Sequence, residues 1–223
     1  MQETQTLEKI ESLNIEPRPL VICDVDEVVV QFVAAFERHL MHRGFWLDVQ
    51  NFALFGNVRR RADGTLVDDA EVRDLVRAFF AAEAGRLDLV PGAVETLDVL
   101  RRSAQIVLLT NIPDNYLEAR LSNLRGHGLH DPVVANQGPK GPAVAALCAR
   151  LNAPVFFIDD SPSNIRSVIS EAPHCHVIHF MADERYLKIA EPIEGIRLKT
   201  GHWSEAQSYI QEMIAVEFAS PPE

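Results

Sequence analysis

The hydrophobic positions of this chain fall into short unbroken runs, separated by polar turns and by longer segments of helical periodicity. Five runs stand out: 20–24 (LVICD), 105–110 (QIVLLT), 132–135 (PVVA), 154–159 (PVFFID) and 175–180 (CHVIHF). Continuous apolar runs, rather than alternation, are what strands buried on both faces require. Between them the spacing predicts helices over 92–102, 114–125, 140–151 and 162–170. Another is predicted over 4–13, where Leu7, Ile10 and Leu13 share a face. Repeated strand–helix units predict an α/β fold, with an open parallel, Rossmann-like sheet flanked by helices.

The rhythm breaks once, between residues 31 and 90, an interval too long for one crossover. Val72, Leu75, Val76, Phe79 and Phe80 follow an amphipathic helical stripe that opens on Asp68-Asp69, charges suited to a helix N-terminus. Residues 31–43 and 48–56 are read as two further short helices. The expectation is a small, mostly helical cap over 31–90, inserted after the first strand into a core domain of residues 1–30 and 91–223. Pro91-Gly92 marks the return to that core. Phe36, Trp46, Phe52 and Phe55 are expected to form the cap's own core. Arg59-Arg60-Arg61 is read as a solvated loop, with a substrate-facing patch as the alternative.

Composition narrows the function classes. With 223 residues and 47% hydrophobic content, the chain can bury a substantial core. A formal net charge of −11 argues against nucleic acid or an anionic membrane as partner, since both need clustered Lys and Arg. A small anionic substrate stays compatible if a cation supplies local positive charge. No run approaches the roughly 20 apolar residues of a membrane-spanning helix, and the opening MQETQTLEKIE lacks the order of a secretory signal. Cys23, Cys148 and Cys175 are scattered, with no CxxC pair, which reads as reduced, buried thiols in a cytoplasmic protein. Self-association into a homo-oligomer is left open.

In an open parallel sheet, ligands bind beyond the carboxyl ends of the strands. There the sequence places Asp24 and Asp26 after the first run, Thr110-Asn111 after the second and Asp159-Asp160 after the fourth, while Lys140 opens the helix after the third. Crowded carboxylates stay ionised only if a cation joins them, and oxygen-only ligation selects a hard ion such as Mg2+. Such an ion and Lys140 would neutralise a transferring phosphoryl group, while Thr110 would donate to one of its oxygens. One carboxylate can serve as covalent nucleophile, and its neighbour two residues on as general acid and base. His174, Cys175, His176 and His179 could suggest zinc. On a strand, however, they divide between opposite faces, so packing or solvent-facing histidines are expected.

The order DxDxV (Asp24, Asp26, Val28), Thr110, Lys140 and DDSxxN (Asp159 to Asn164) resembles the haloacid dehalogenase superfamily over about residues 20–180. The resemblance implies Asp24 as phosphorylated nucleophile and metal ligand, and Asp26 as general acid/base that also touches the metal through its carbonyl. It implies Thr110, Asn111 and Lys140 around the phosphate, and Asp159 and Asp160 completing a Mg2+ site. A second aspartate at Asp26 favours phosphomonoesters over halogenated acids. DVDEVV, FIDDSPSNI and PGAVETL are similar to the deoxyribonucleotidase branch. The sequence departs from the pattern at Glu27, where relatives often have glycine, and at Asn164, where some have a further aspartate. The expected activity is hydrolysis of a small phosphorylated substrate. The alternatives are phosphoryl transfer by the same residues, as in a mutase, and a scaffold that has lost turnover. A phospho-receiver fits less well, because receivers place the acidic pair before the phospho-accepting aspartate.

Overall fold

Strand β1 (Leu20–Cys23) is buried at every position and sits in the middle of a six-stranded sheet in the computed structural model, which describes residues 2–218. Its neighbours are β4 (Gln105–Thr110) on one side and β6 (Val155–Asp159) on the other. β5 (Val133–Ala135) lies outside β4, while β7 (His176–Phe180) and β8 (Leu198–Thr200) lie outside β6. All five pairings are parallel. Leu20 and Ile22 enter one apolar cluster and Val21 and Cys23 the other, so helices cover both faces. The first excursion from β1 leads to β4 and the later one returns to β6. The strand order therefore reverses at the carboxyl end of β1, the place where such sheets hold ligands.

The connecting helices α4 (Ala93–Leu100), α5 (Asp114–Gly126), α6 (Gly141–Cys148) and α7 (Pro162–Glu171), and the leading α1 (Gln2–Ser12), match the periodic segments to within a few residues. Three elements lie beyond residue 180, where the expected pattern stops: α8 (Glu184–Ile189), β8 and α9 (Trp203–Glu217). β8 is a three-residue edge strand, too short to show a period. Among the described residues, no helix is long and apolar enough to cross a membrane.

The segment between β1 and β4 contains α2 (Phe32–Met41) and α3 (Asp69–Glu83), the latter capped by the Asp68 carboxylate accepting from the Ala70 and Glu71 amides. The expected helix over 48–56 does not form. β2 (Phe45–Leu47) and β3 (Val58–Arg60) pair antiparallel there instead, and residues 48–57 loop between them. The buried Asn57 explains the difference. Its carbonyl oxygen accepts from the Gln50 and Asn51 amides and its Nδ2 donates to the Asn51 and Ala53 carbonyls, giving the loop the backbone partners a helix would have used. Arg59 and Arg60 pair with Asp48 and Glu71 of the same segment. Of the four aromatics expected as its core, Phe36 is fully buried, whereas Trp46 and Phe55 are exposed and Phe52 packs outward onto Tyr186 and His179. The two chain connections of the segment run side by side, with Gln31 donating to the Asp88 carbonyl and Val90 to that of Val29.

Candidate active site

The loop 24–30 leaves β1 at the strand-order reversal. The Asp24 amide donates to the Ile158 carbonyl at 2.8 Å, which extends the β1–β6 ladder by one step and sets Asp24 beside Asp159. Lys140, which precedes α6, is fully buried and reaches both carboxylates, with Nζ 2.6 Å from Asp24 Oδ1 and 2.7 Å from Asp159 Oδ2. Among the described residues, Asp24, Asp159 and Asp160 form a group whose candidate ligand oxygens all lie within 4.8 Å of one another. Three of the four aspartates expected at a metal site are thereby brought together with the lysine.

The electrostatics of this cluster are unbalanced. Burial pushes the Asp24 carboxyl up, and Asp26 adds to the effect while Lys140 opposes it. Burial likewise raises Asp159 to about 6 against the pull of Lys140, and raises Asp160 well above its usual range with help from Asp159 and Asp24. Lys140 stays protonated, because Asp159 and Asp24 outweigh the burial that works against its charge. Three carboxylates against one ammonium leave two formal negative charges, the complement of one divalent cation. An all-oxygen donor set of this kind suits a hard ion. The oxygens are not equally available, however. Asp159 accepts from Lys140, from the Ser161 amide and from Asn164 Nδ2, so it is fully engaged in holding the lysine. Asn164 is thus a neutral donor where another aspartate would repel Asp159. Asp24 Oδ2 and the partly exposed Asp160 carboxylate are left to face a cation.

Asp26 is held by a residue that the sequence reading missed. Arg120 on α5 is fully buried, and its Nη2 lies 2.8 Å from Asp26 Oδ1. The contact is ionic rather than an aligned hydrogen bond, since neither that oxygen nor the guanidinium nitrogens have a directional partner. A signal existed: half-buried Leu117 and buried Leu124 lie on the helical stripe that includes Arg120, so Arg120 occupies a core position. Thr110, at the end of β4, is fully buried with its hydroxyl unpartnered, a donor available to an anion. Asn111 is exposed, and its side chain ties two loops, Nδ2 to the Gly138 carbonyl and Oδ1 to Asn136 Nδ2. Its backbone amide is what remains for a phosphate. His179 donates from Nε2 to the Asp160 carbonyl and is held neutral by burial, so it braces the loop. His176 pairs with Tyr209 and Glu217 on the strand's other side.

Glu27 adopts φ 62°, the left-handed conformation that glycine occupies without strain. Its carboxylate is buried and accepts from two distant amides, Val33 at the start of α2 (2.7 Å) and Asp183 before α8 (2.8 Å). These bonds fix the loop bearing Asp24 and Asp26 against both neighbouring helices. Burial, with Asp183 and Asp26 nearby, still raises Glu27 from 4.5 to about 7. A raised carboxyl contributes stability that is present below its unfolded value and lost as pH climbs through its folded one. Compared with Glu27→Gln in metal-free buffer, the native chain is therefore expected to lose about 3 kcal/mol between pH 4.5 and 8, at 1.36 kcal/mol per unit. Urea denaturation of both proteins across that range measures it, and parallel profiles would contradict it.

No family model matches the sequence, and no curated protein matches it. Solved structures do. A conserved haloacid dehalogenase-like protein from Agrobacterium tumefaciens superposes with a TM-score of 0.60 at 14% identity, covering 87% of this chain and 98% of that one. A HAD family hydrolase from Deinococcus radiodurans, solved with bound phosphate and sodium, gives 0.59 at 17% identity over 88% and 96%. The HAD-hydrolase YfnB from Bacillus subtilis, solved bound to magnesium, gives 0.58 at 15% identity over 87% and 99%. These structures cover most of this chain and nearly all of their own, and the chain has the haloacid dehalogenase-like fold.

Proposed function

We propose that this chain is a Mg2+-dependent phosphatase that hydrolyses a small phosphomonoester through an aspartyl-phosphate on Asp24. The observation that carries this reading is the set of three converging carboxylates with a single buried lysine between two of them. Asp24, Asp160 and the backbone carbonyl of Asp26 would hold the cation, which when bound supplies charge neutralisation to the phosphoryl oxygens.

The residues divide the remaining work. Lys140 orients Asp24 through Oδ1, and the Asp24 carboxylate would attack phosphorus to form the acyl phosphate. Asp26, anchored by Arg120, gives its proton to the departing alkoxide and then takes one from the water that cleaves the intermediate. Thr110 Oγ1, the Asn111 amide and the third Nζ–H of Lys140 are the donors on hand for the phosphoryl oxygens. The segment between β1 and β4 lies against the core beside α8, through Arg185 to Glu37 and Tyr186 Oη to the Ala53 carbonyl, and would act as the cap that selects the ester.

The test is phosphate release from a panel of deoxyribonucleotides, ribonucleotides, sugar phosphates and phospho-acids. Turnover of at least one ester with Mg2+, abolished by chelation and restored by readdition, is the expected result. Chelator-insensitive release, or none from any ester, would count against it.

A further inference from the structure

We propose that Arg185 is a positioning residue for the catalytic loop, closing a ring of polar contacts that holds Glu27, and through it Asp24 and Asp26, between α2 and α8. The inference rests on the reading of this crevice as the active site. The Glu27 carboxylate accepts from the Val33 amide at the start of α2 (2.7 Å) and from the Asp183 amide just before α8 (2.8 Å). Arg185 joins the same two helices a second time. Its Nη1 and Nη2 donate to Glu37 Oε1 and Oε2 on α2, each at 2.9 Å. Its Nη2 and Nε also donate to the Asp183 carboxylate, at 2.8 and 3.1 Å. Val33 and Glu37 are four residues apart, so they lie on one face of α2. The ring therefore runs from Glu27 to Val33, along α2 to Glu37, across Arg185 to Asp183, and back to Glu27.

Little else holds the two helices together here. Among the described residues, Arg185 to Glu37 is the only hydrogen bond or ion pair that joins α2 directly to α8. Packing does not replace it. A cavity of about 300 Å³ lies in the gap, lined by Gln31 and Ala34 from the α2 side, by Ala182 and Glu184 from the α8 side, and by Glu27. Glu27 needs outside support, because φ 62° is strained for a residue that carries a side chain. The loop keeps its shape only while both amide donors stay in place. Arg185 suits the task, since one planar guanidinium can serve two carboxylates at once where an ammonium cannot. Without it, Glu37 and Asp183 would face each other with no cation between them, and their repulsion would spread α2 from α8. The Arg185 side chain is 44% exposed, so the fold itself should survive its removal.

The experiment follows amide hydrogen exchange by NMR, and phosphate release, in the native full chain and in Arg185→Ala and Arg185→Lys. In Arg185→Ala the Val33 and Asp183 amides should exchange about five-fold faster, the scale of one partly exposed ion pair. The Phe157 amide in the middle of β6 should keep its native rate. The kcat for an ester that the native chain turns over should fall about ten-fold, with KM changed by less than about two-fold, because Arg185 acts on the loop and not on the substrate. Arg185→Lys should recover part of both effects. Native exchange rates at Val33 and Asp183, acceleration at only one of them, or equal acceleration at Phe157 overturns the proposal. A raised KM with native kcat also overturns it, since the contact would then serve only to close the segment between β1 and β4 over the substrate. If the native chain releases phosphate from no ester, the proposed activity fails by itself, and the exchange rates still decide whether Arg185 closes the ring.

Discussion

Asp24→Asn should lower Mg2+-dependent phosphate release by more than about 10³-fold, roughly 4 kcal/mol of transition-state stabilisation, without destabilising the fold. The amide keeps the shape of the carboxylate but lacks the anionic oxygen that attacks phosphorus. The fold should tolerate the change because burial and Asp26 already disfavour the charge on Asp24. Lys140 would keep Asp159 as a partner at 2.7 Å. Single-turnover kinetics alongside thermal denaturation in chelator would measure both halves. A variant with native turnover would remove Asp24 as nucleophile, and one that fails to fold would mean that its charge is structural.

Lys140→Met should have the largest effect on stability, about 3–5 kcal/mol in metal-free buffer. The methionine fills the space but leaves Asp24 and Asp159 facing each other inside the protein with no cation between them. Lys140 and Asp159 are fully buried and Asp24 nearly so, which leaves little solvent to take up the lost charge. Mg2+ should restore part of the loss, because a divalent ion neutralises the same carboxylates. Activity should remain depressed by about 10²-fold or more even then, since a donor to the phosphoryl oxygens has gone. Urea denaturation with EDTA and with Mg2+ checks this. A loss under 1 kcal/mol would show that the lysine is not the internal counter-charge.

Much of this site was legible in the sequence, because a parallel sheet announces itself by runs such as LVIC and VFFID, and its chemistry sits where those runs end. Asp24, Asp159, Asp160 and Lys140 follow from that one rule. What escaped depends on partners far along the chain. Arg120 on a helix suggests a solvated face until the leucines at 117 and 124 are seen to share its stripe. Glu27 stood out in the sequence only as a departure from the usual glycine, whereas its two amide donors lie 6 and 156 residues away. The loop 48–57 carries Val49, Phe52 and Phe55 at three-residue, helix-like intervals, yet one asparagine at its end decides the conformation.

The support under Glu27 also bears on the order in which the chain can become active. One of its donors, Asp183, and the Trp203 indole that donates to the neighbouring Val28 carbonyl, both belong to the final fifth of the sequence. Residues 24–30 emerge early during synthesis, but the strain at Glu27 is offset in full only when those late segments dock. Contacts across so many residues form slowly, because loop closure must precede them. The catalytic loop is therefore among the last parts to take its final shape, and a nascent chain ending before Asp183 would carry Asp24 and Asp26 on a loop lacking one of its anchors.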